Sequence, residues 1–185
     1  VLHHNAIDNN FYNFGVLGTV LSEFISSIDT SNLINGKPIY YYVNKSDLAI
    51  NPVTYPSVGY LALINCTRIT VEGLSLTNNN EGILLATTTN STITGNNLVS
   101  DEYGLYLSSC SNNTLSNNNA SGNYDGAYFD SSFDNTLTNN NASGNSHDGF
   151  YFFASSLNKR QIGFCLLSNS LSCSFSATYS FFACM

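Results

Sequence analysis

The sequence predicts an all-β protein, a parallel β-solenoid whose coils hold about 22 residues and three short strands each. Three observations lead to this prediction. Residues 113–123 read NTLSNNNASGN, and residues 135–145 repeat them as NTLTNNNASGN. Apolar and polar residues alternate after each copy, which is the pattern of half-buried strands. A glycine recurs at intervals of 22, 22 and 23 residues, at Gly82, Gly104, Gly126 and Gly149.

The composition of the repeat argues against helical repeats, because Asn, Ser, Thr, Gly and β-branched or aromatic residues dominate it. One coil cannot bury its own apolar face, but coils stacked at roughly 4.8 Å can do so. We expect one inward position to be filled by Ile69, Ile93, Leu115 and Leu137. Asn tolerates sharp corners and forms side-chain ladders between stacked strands. We expect such a ladder near one corner, at Asn79, Asn96, Asn118 and Asn140.

The N-terminal third of the chain keeps the repeat only loosely. Residues 3–18 follow the order of residue types in the later copies, which predicts one divergent coil. Residues 19–64 depart from the period and predict an enlarged coil with an inserted loop or hairpin, in which Asn35-Gly36 is a hairpin turn signal. The run Tyr40–Tyr42 in this insertion is either a contact surface or a plain strand, since Tyr favours strands.

Four regular coils are predicted from residue 66 to residue 153, so that the β-helix domain spans residues 1–156. The repeat then fails, and residues 157–185 have a different composition. Three interpretations of this tail are a divergent cap, a membrane segment, and a non-native or disordered segment. Its apolar residues do not form the ~20-residue run of a membrane span, and the abrupt change at Asn158 favours the third interpretation.

Composition and charge exclude nucleic acid as a partner. The chain has 185 residues, of which 9% are charged, and its five Lys and Arg against twelve Asp and Glu give a net charge of −7. Without a basic patch there is nothing to hold a phosphate backbone. The sequence starts at Val1 without a signal-peptide pattern, and we expect it to be part of a larger protein.

Six Asn-x-Ser/Thr sequons occur in the chain, and they would suit a glycosylated surface protein. They begin at Asn44, Asn65, Asn90, Asn112, Asn119 and Asn141. A repeat this rich in Asn, Ser and Thr also produces sequons by chance, and on the sequence alone we favour that explanation.

Three stretches of the chain resemble a known family, the NosD-like right-handed parallel β-helix proteins of archaeal and bacterial surfaces. The resemblance rests on IDTSNLINGKPIYYYVN at 28–44, on GYLALINCTRITVEGLSLTNNNEGILL at 59–85 and on the NTLTNNNASGN copies. It covers residues 1–156 and implies an exported protein, periplasmic or on the cell surface, in tandem with other modules. The type member is described as a periplasmic copper-binding accessory to the maturation of nitrous oxide reductase, which makes copper a candidate ligand.

The sequence itself offers no obvious copper ligands. Cu(I) prefers Cys and Met, and Cu(II) prefers imidazoles in a compact set. The chain has one Met and three His, at positions 3, 4 and 147. We expect Cys66 and Cys110 at different repeat positions two coils apart, and the other three Cys lie in the tail, so no disulfide framework is predicted. No metal ligand and no cofactor is predicted, and Ca²⁺ or copper would lack a ligand cluster.

A column of acidic residues precedes the repeat glycines. Glu81, Asp125 and Asp148 hold this position, and Tyr103 holds it in the remaining coil. We expect Asp125 and Asp148 one coil apart, roughly 5 Å, which approaches the carboxyl separation of retaining glycosidases and also suits Ca²⁺. Asp-Gly is also an ordinary exposed turn. No Lys, Arg or other base accompanies the pair, so we expect no catalysis there.

A stripe of tyrosines forms the third candidate site. Tyr106, Tyr128 and Tyr151 are expected at the same outward strand position in three consecutive coils, close to the acidic column. Exposed tyrosines beside carboxylates and amides suit the binding of sugar rings. The alternative, which we favour, is mutual stacking that stabilises neighbouring strands. The candidate ligand-binding residues are therefore Tyr106, Tyr128, Tyr151, Glu81, Asp125 and Asp148.

Together these features predict a non-catalytic exported module with a structural or adhesive role. Its expected partners are a polysaccharide or a glycoprotein glycan and other domains of the same larger protein. Two alternatives stay open, since a fold alone does not give a function. One is a carbohydrate-active enzyme, a lyase, hydrolase or epimerase that would use Asp125 and Asp148. The other is a copper-binding accessory protein.

Overall fold

The computed structural model describes residues 1–157 and 175–176 of the 185-residue chain. Predictions made for residues 158–174 and 177–185 lie outside these described residues. The elements in chain order are β1 (Ala6–Ile7), α1 (Leu21–Phe24), β2 (Leu33–Ile34), β3 (Lys37–Val43), β4 (Ala49–Ile50), β5 (Tyr60–Ile64), β6 (Thr70–Glu72), β7 (Ser75–Thr77), β8 (Glu81–Ala86), β9 (Thr92–Thr94), β10 (Asn97–Val99), β11 (Tyr103–Ser108), β12 (Thr114–Ser116), β13 (Asn119–Ser121), β14 (Asp125–Asp130), β15 (Phe133–Thr138), β16 (Phe150–Phe153), β17 (Ser156–Leu157) and β18 (Phe175–Ser176).

The strands form a parallel β-solenoid, as the repeat predicts. One coil runs through a long strand and two short ones, for example β8, β9 and β10, and the chain then starts the next coil at β11. Partners in the regular central coils are 22 residues apart, as Leu105 shows by pairing with Ile83 on one side and Ala127 on the other. The coils stack into a nine-stranded, a six-stranded and a three-stranded sheet. Among the described residues, no helix is long and apolar enough to cross a membrane.

The interior of the solenoid is filled by one inward side chain after another from all three sheets. Ile93, Leu98, Leu105 and Leu115 belong to this core and are fully buried. The expected inward column is correct from Ile93 onward but wrong at its start, because Val71 and not Ile69 pairs with Ile93. The Ile69 amide instead donates to Ser91 Oγ at the preceding corner (3.0 Å).

Buried asparagines form ladders along the solenoid axis, as predicted. The backbone N–H of Asn118 donates to Asn140 Oδ1 (3.0 Å), while the side-chain Nδ2 of Asn118 donates to the Ile93 carbonyl (2.8 Å). Asn96 repeats the pattern one coil earlier by donating to Asn118 Oδ1. Asn79 does not belong to this ladder, contrary to the prediction, because its amide nitrogen donates to Asp101 Oδ1 in a separate column (2.8 Å).

The N-terminal segment begins as the edge strand of the nine-stranded sheet and then covers the outer face of that sheet. Leu2 and β1 run beside residues 28–34, but residues 13–16 then cross to the outside of β5 and β8. There the Asn80 amide donates to the Phe14 carbonyl (2.8 Å), and the Phe14 ring packs edge-on against Tyr60 (4.9 Å). The prediction of a divergent coil at residues 3–18 therefore holds for the start of the segment, where β1 pairs in parallel with β2, and is wrong for residues 13–16. The segment instead supplies the apolar cover for the second, outer core.

A hairpin precedes the first long strand of the solenoid. β2 pairs antiparallel with the start of β3, and both turn residues, Asn35 and Gly36, have positive φ (49° and 73°), as a type I′ turn requires. The run Tyr40–Tyr42 does not form a free contact surface. Tyr40 and Tyr42 pack around Tyr55, and Tyr41 donates a hydrogen bond to the Phe24 carbonyl.

Candidate metal centre

The candidate site lies at the corner that leads into each long strand. Tyr103 pairs with Glu81 on one side and Asp125 on the other, so these residues form one column, and the Gly126 amide donates to the Asp148 carbonyl in the next coil (2.9 Å). The predicted alignment of the acidic column is thus confirmed. The expectation of exposed turn carboxylates is wrong, because Glu81, Asp125 and Asp148 are all buried. Neighbouring coils and the N-terminal segment cover this corner.

His147 brings the last two carboxylates of the column together. Its Nδ1 lies 2.9 Å from Asp125 Oδ1 and 3.3 Å from Asp148 Oδ2. The Asp148 amide also donates to Asp125 Oδ1 (2.8 Å), which fixes the Asp125 carboxylate in place. One donor atom from each of the three residues lies within 4.8 Å of the other two. We call this cluster, Asp125, His147 and Asp148, the corner triad.

The corner triad has one half-exposed member and two buried ones. The His147 side chain is 50% exposed, whereas the Asp125 and Asp148 side chains are 3% and 4% exposed. The imidazole stacks on the Tyr124 ring at 4.7 Å with an angle of 7° between the planes. Its hydrogen bond to Asp125, with the charges of Asp125 and Asp148, raises the pKa of His147 above the ordinary value of 6.5. A proton and a metal ion therefore compete for the same electron pair of Nδ1.

The donor set of the corner triad fits a divalent transition metal. Two donors that each lie about 2 Å from one ion at a right angle are about 2.8 Å apart, and the two N–O separations at His147 are close to this value. One imidazole and two carboxylates suit Cu(II), whereas Ca²⁺ prefers oxygen ligands alone. The structure thus brings together a group of potential metal ligands, one imidazole and two carboxylates, that was not expected from the sequence.

The two cysteines in the described part of the chain, Cys66 and Cys110, are not among the ligands of this cluster. Cys66 and Cys110 are two coils apart, as expected, but they share one column, because Thr88 connects them: the Cys66 amide donates to Thr88 Oγ1, and the Thr88 amide donates to Cys110 Sγ. The expectation of different repeat positions is thus wrong. Both thiols are free and buried, and burial raises the pKa of Cys110 to about 12. A buried neutral thiol is a poor ligand for Cu(I).

Glu81 is separated from the corner triad by Tyr103 and is covered by the N-terminal segment. Its Oε2 accepts hydrogen bonds from the Tyr60 hydroxyl (2.5 Å) and the Val16 amide (3.2 Å), and its Oε1 is buried without a partner. Burial raises the pKa of this carboxyl to about 7. Glu81 is therefore a covered, half-protonated acid near neutral pH and not part of the surface formed by Asp125 and Asp148.

The predicted tyrosine column exists, but its rings mostly pack on one another. Tyr106 pairs with Tyr128, and Tyr128 pairs with Tyr151, with ring centroids 5.3 and 5.0 Å apart. Tyr106 is only 6% exposed, so the expected exposed stripe is wrong at this end. Tyr103 stacks on Tyr106 at 5.5 Å and helps to cover it. Tyr128 and Tyr151 stay half-buried and border the corner triad.

Sequence reasoning missed two residues of the site, His147 and Tyr124. Both are ring side chains that come directly before an acidic residue of the column, Asp148 and Asp125 respectively. A ring residue directly before the acid in two successive copies was the signal that could have placed both residues at the site, since residues at equal repeat positions lie above one another.

A comparison with protein-family models gives a match that covers most of the chain. The model described as periplasmic copper-binding protein (NosD) matches residues 22–175. No curated protein and no solved structure matches the chain significantly. The matched range includes the corner that carries Asp125, His147 and Asp148.

Proposed function

Because the chain belongs to the family of periplasmic copper-binding proteins named NosD, we propose that it is an exported, non-catalytic β-helix module that binds copper(II) through the corner triad. The family is periplasmic, which supports an exported location. The observation that carries the proposal is the convergence of three donor atoms within 4.8 Å of one another at one corner of the solenoid.

The charges of the corner triad favour a divalent ion. Two carboxylates that are 3% and 4% exposed are costly to keep charged unless a cation lies beside them. His147 supplies that charge when protonated. Asp125 and Asp148 would hold copper(II) in place of this proton through their carboxylates, and His147 would supply a nitrogen ligand, so that the ion would balance both negative charges. The solenoid holds the two Asp side chains one coil apart, so little ordering is needed for binding.

Calorimetric titration of the whole chain with copper(II) tests the proposal. We expect one ion per chain, and we expect His147→Gln to weaken binding by at least about 100-fold, because even the loss of an outer partner of a metal ligand costs about 10–100-fold. His3→Gln is the matched control, since His3 Nδ1 also lies 2.7 Å from an aspartate, Asp29, on an exposed surface. Equal weakening by both substitutions, or undiminished binding in His147→Gln, would contradict the proposal.

Contact with a glycan is the second candidate function, and the half-buried rings of Tyr128 and Tyr151 support it. These rings border the corner triad and present apolar edges and hydroxyl groups of the kind that pack on sugars. Such a contact would give the module an adhesive role at a cell surface. Glycan-array binding of the chain is compared with the Tyr128→Ala/Tyr151→Ala double variant. Binding that the variant loses supports this function, and no binding by the folded parent chain excludes it.

A further inference from the structure

The six sequon asparagines separate from the ladder asparagines in the fold. Five of them are exposed, and Asn119 is half-buried. None of the fully buried asparagines begins a sequon, and these are Asn32, Asn79, Asn96, Asn113, Asn118, Asn123, Asn135 and Asn140. Every sequon is therefore located at the surface of the solenoid.

The repeat sequence accounts for this separation. A buried asparagine is followed two residues later by a side chain without a hydroxyl, as Asn96 is followed by Leu98 and Asn123 by Asp125. A surface asparagine is followed by a surface hydroxyl, as Asn90 is followed by Thr92. The sequons thus coincide with positions where both the amide and the hydroxyl of the acceptor sequence face outward.

Two of the six have side-chain amides whose hydrogen bonds stay within their own coil. Asn90 and Asn112 each donate only a weak local hydrogen bond through Nδ2, to Thr89 Oγ1 (3.3 Å) and Ser111 Oγ (3.5 Å). The other four take part in amide bonds between coils. Asn65 Nδ2 donates to Asn44 Oδ1 (2.7 Å), and the Asn119 and Asn141 amides continue a surface ladder, with Nδ2–Oδ1 distances of 2.7 and 2.8 Å.

The backbone does not require asparagine at these two positions. Asn90 and Asn112 have positive φ (52° and 58°), and the same corner of the neighbouring coils holds Arg68 and Asp134 with the same conformation (54° and 56°). Since Arg and Asp also adopt this turn here, the turn alone does not require asparagine at both positions. The hydroxyl residue two positions on belongs to the repeat itself, since Thr70, Thr92, Thr114 and Thr136 form one column.

We propose that Asn90 and Asn112 are acceptor sites for N-linked oligosaccharides in the exported protein. The donor is a lipid-pyrophosphate oligosaccharide: a bond forms between Nδ2 and C1 of the first sugar, the bond from C1 to the pyrophosphate oxygen breaks, and the amide loses one proton. The proposal rests on export of the chain and is independent of copper. The two asparagines lie one coil apart, roughly 5 Å, so one glycan leaves little room for a second.

The glycan would leave the corner triad open. Asn90 and Asn112 follow the ends of β8 and β11, whereas the triad lies at the opposite end, where β14 begins. A long strand of six residues separates the two corners by roughly 20 Å. The solenoid would therefore carry its sugar on one edge and its metal site on another.

Peptide mass mapping after secretion from a host that adds N-linked oligosaccharides to Asn-x-Ser/Thr tests the proposal. We expect one oligosaccharide on the parent chain, at Asn90 or Asn112. Thr92→Val and Thr114→Val should each move it to the remaining site, and the double variant should lose it. The hydroxyl-preserving Thr92→Ser/Thr114→Ser chain is the matched control and should keep it.

Two results would overturn the proposal: a secreted parent chain without sugar at either asparagine, or a double valine variant with the parent's sugar mass. The copper titration of the same preparations is a separate readout, so the failure of one proposal is distinguishable from the failure of the other.

Discussion

Asp101 replaces an asparagine in one of the buried ladders, and its protonation should control how stability depends on pH. Asn123, one coil further, donates from Nδ2 to the Leu98 carbonyl (3.1 Å), and Asn145 donates to the Ala120 carbonyl (3.1 Å). Asp101 Oδ2 takes the place of this nitrogen: a Cβ at Gly82 would be 2.7 Å from it, as a Cβ at Gly104 would be from Asn123 Nδ2. Asp101 Oδ2 is buried and accepts no hydrogen bond.

The position therefore favours a protonated carboxyl, which can donate where a carboxylate can only repel a carbonyl oxygen. Burial, reinforced by the nearby charge of Glu81, raises the pKa of Asp101 from 3.8 to about 8. Between these values the unfolded chain has lost a proton that the folded chain keeps. The unfolded state binds fewer protons, so the free energy of unfolding falls as the pH rises from about 4 to about 8 and is level above that.

The size of the effect follows from the same two pKa values. At about 1.4 kcal/mol per tenfold change in proton affinity, a pKa of about 8 in place of 3.8 corresponds to about 6 kcal/mol, which is an upper limit because water that reaches the carboxyl lowers it. The substitution Asp101→Asn removes this pH-dependent loss of stability and restores a side-chain Nδ2 donor at this position of the ladder. We expect the variant to unfold at a similar urea concentration to the parent at about pH 4, and to be several kcal/mol more stable at about pH 8.

Urea unfolding of both chains across this pH range, followed by circular dichroism, measures the difference directly. Glu81 also titrates near pH 7, but it is present in both chains, so its contribution to the pH dependence largely cancels in the difference between them. Asn123→Asp is the reciprocal control, because it places a second acid in the same column and should add a loss of stability at high pH. A parent and an Asp101→Asn variant with parallel pH profiles would refute the reasoning.

Three further substitutions test the packing of the solenoid by urea unfolding. Asn118→Ala should cost about 3 kcal/mol or more, because it leaves the Ile93 carbonyl and other buried groups unpaired at about 1–3 kcal/mol each; a cost below about 1 kcal/mol would contradict a structural ladder. Phe129→Ala should cost about 3–5 kcal/mol, because this fully buried ring stacks on Phe152 at 4.6 Å, and a near-neutral result would mean that the interior is loosely packed. Tyr60→Phe should cost about 1–3 kcal/mol at neutral pH, because the Glu81 carboxyl loses a buried donor; no change would show that the N-terminal cover is not held through Glu81.

The register of the coils could be predicted from the sequence because glycine marks it. A Cβ at Gly82 or Gly104 would lie 2.6 Å from the carbonyl oxygen of the glycine in the next coil, and at Gly126 it would lie 2.5 Å away. No other residue fits such a close approach, so the column of glycines fixes which residues are neighbours. The apolar column is a weaker guide, because Ile69 and Val71 both point inward and spacing alone does not choose between them.

The position of His147 could not be predicted in the same way. The backbone bond from His147 to the Tyr124 carbonyl keeps the regular coil spacing, as the bond from Tyr124 to the Asp101 carbonyl does one coil earlier. The next pair, Ala127 and Phe150, is 23 residues apart instead of 22. One extra residue is therefore accommodated between His147 and Phe150, so that His147 and Asp148 both lie beside Asp125. Residue types predict neither where a corner takes up an extra residue nor which way the next side chain turns.

The N-terminal segment was misjudged for a similar reason. Phe14 and Val16 alternate with other residues as they would in a coil, but they cover the outer side chains of β5 and β8. An outer cover and a coil both bury alternate residues, so periodicity does not distinguish them.

The most direct test of the central claim is the electron paramagnetic resonance spectrum of the copper(II)-loaded chain. One imidazole and two carboxylates predict a spectrum with hyperfine coupling to one directly bound nitrogen and otherwise oxygen ligation, and that signal should be lost in His147→Gln. A spectrum with two or more bound nitrogens or with sulfur ligation, or a signal unchanged by His147→Gln, would contradict a copper centre at Asp125, His147 and Asp148.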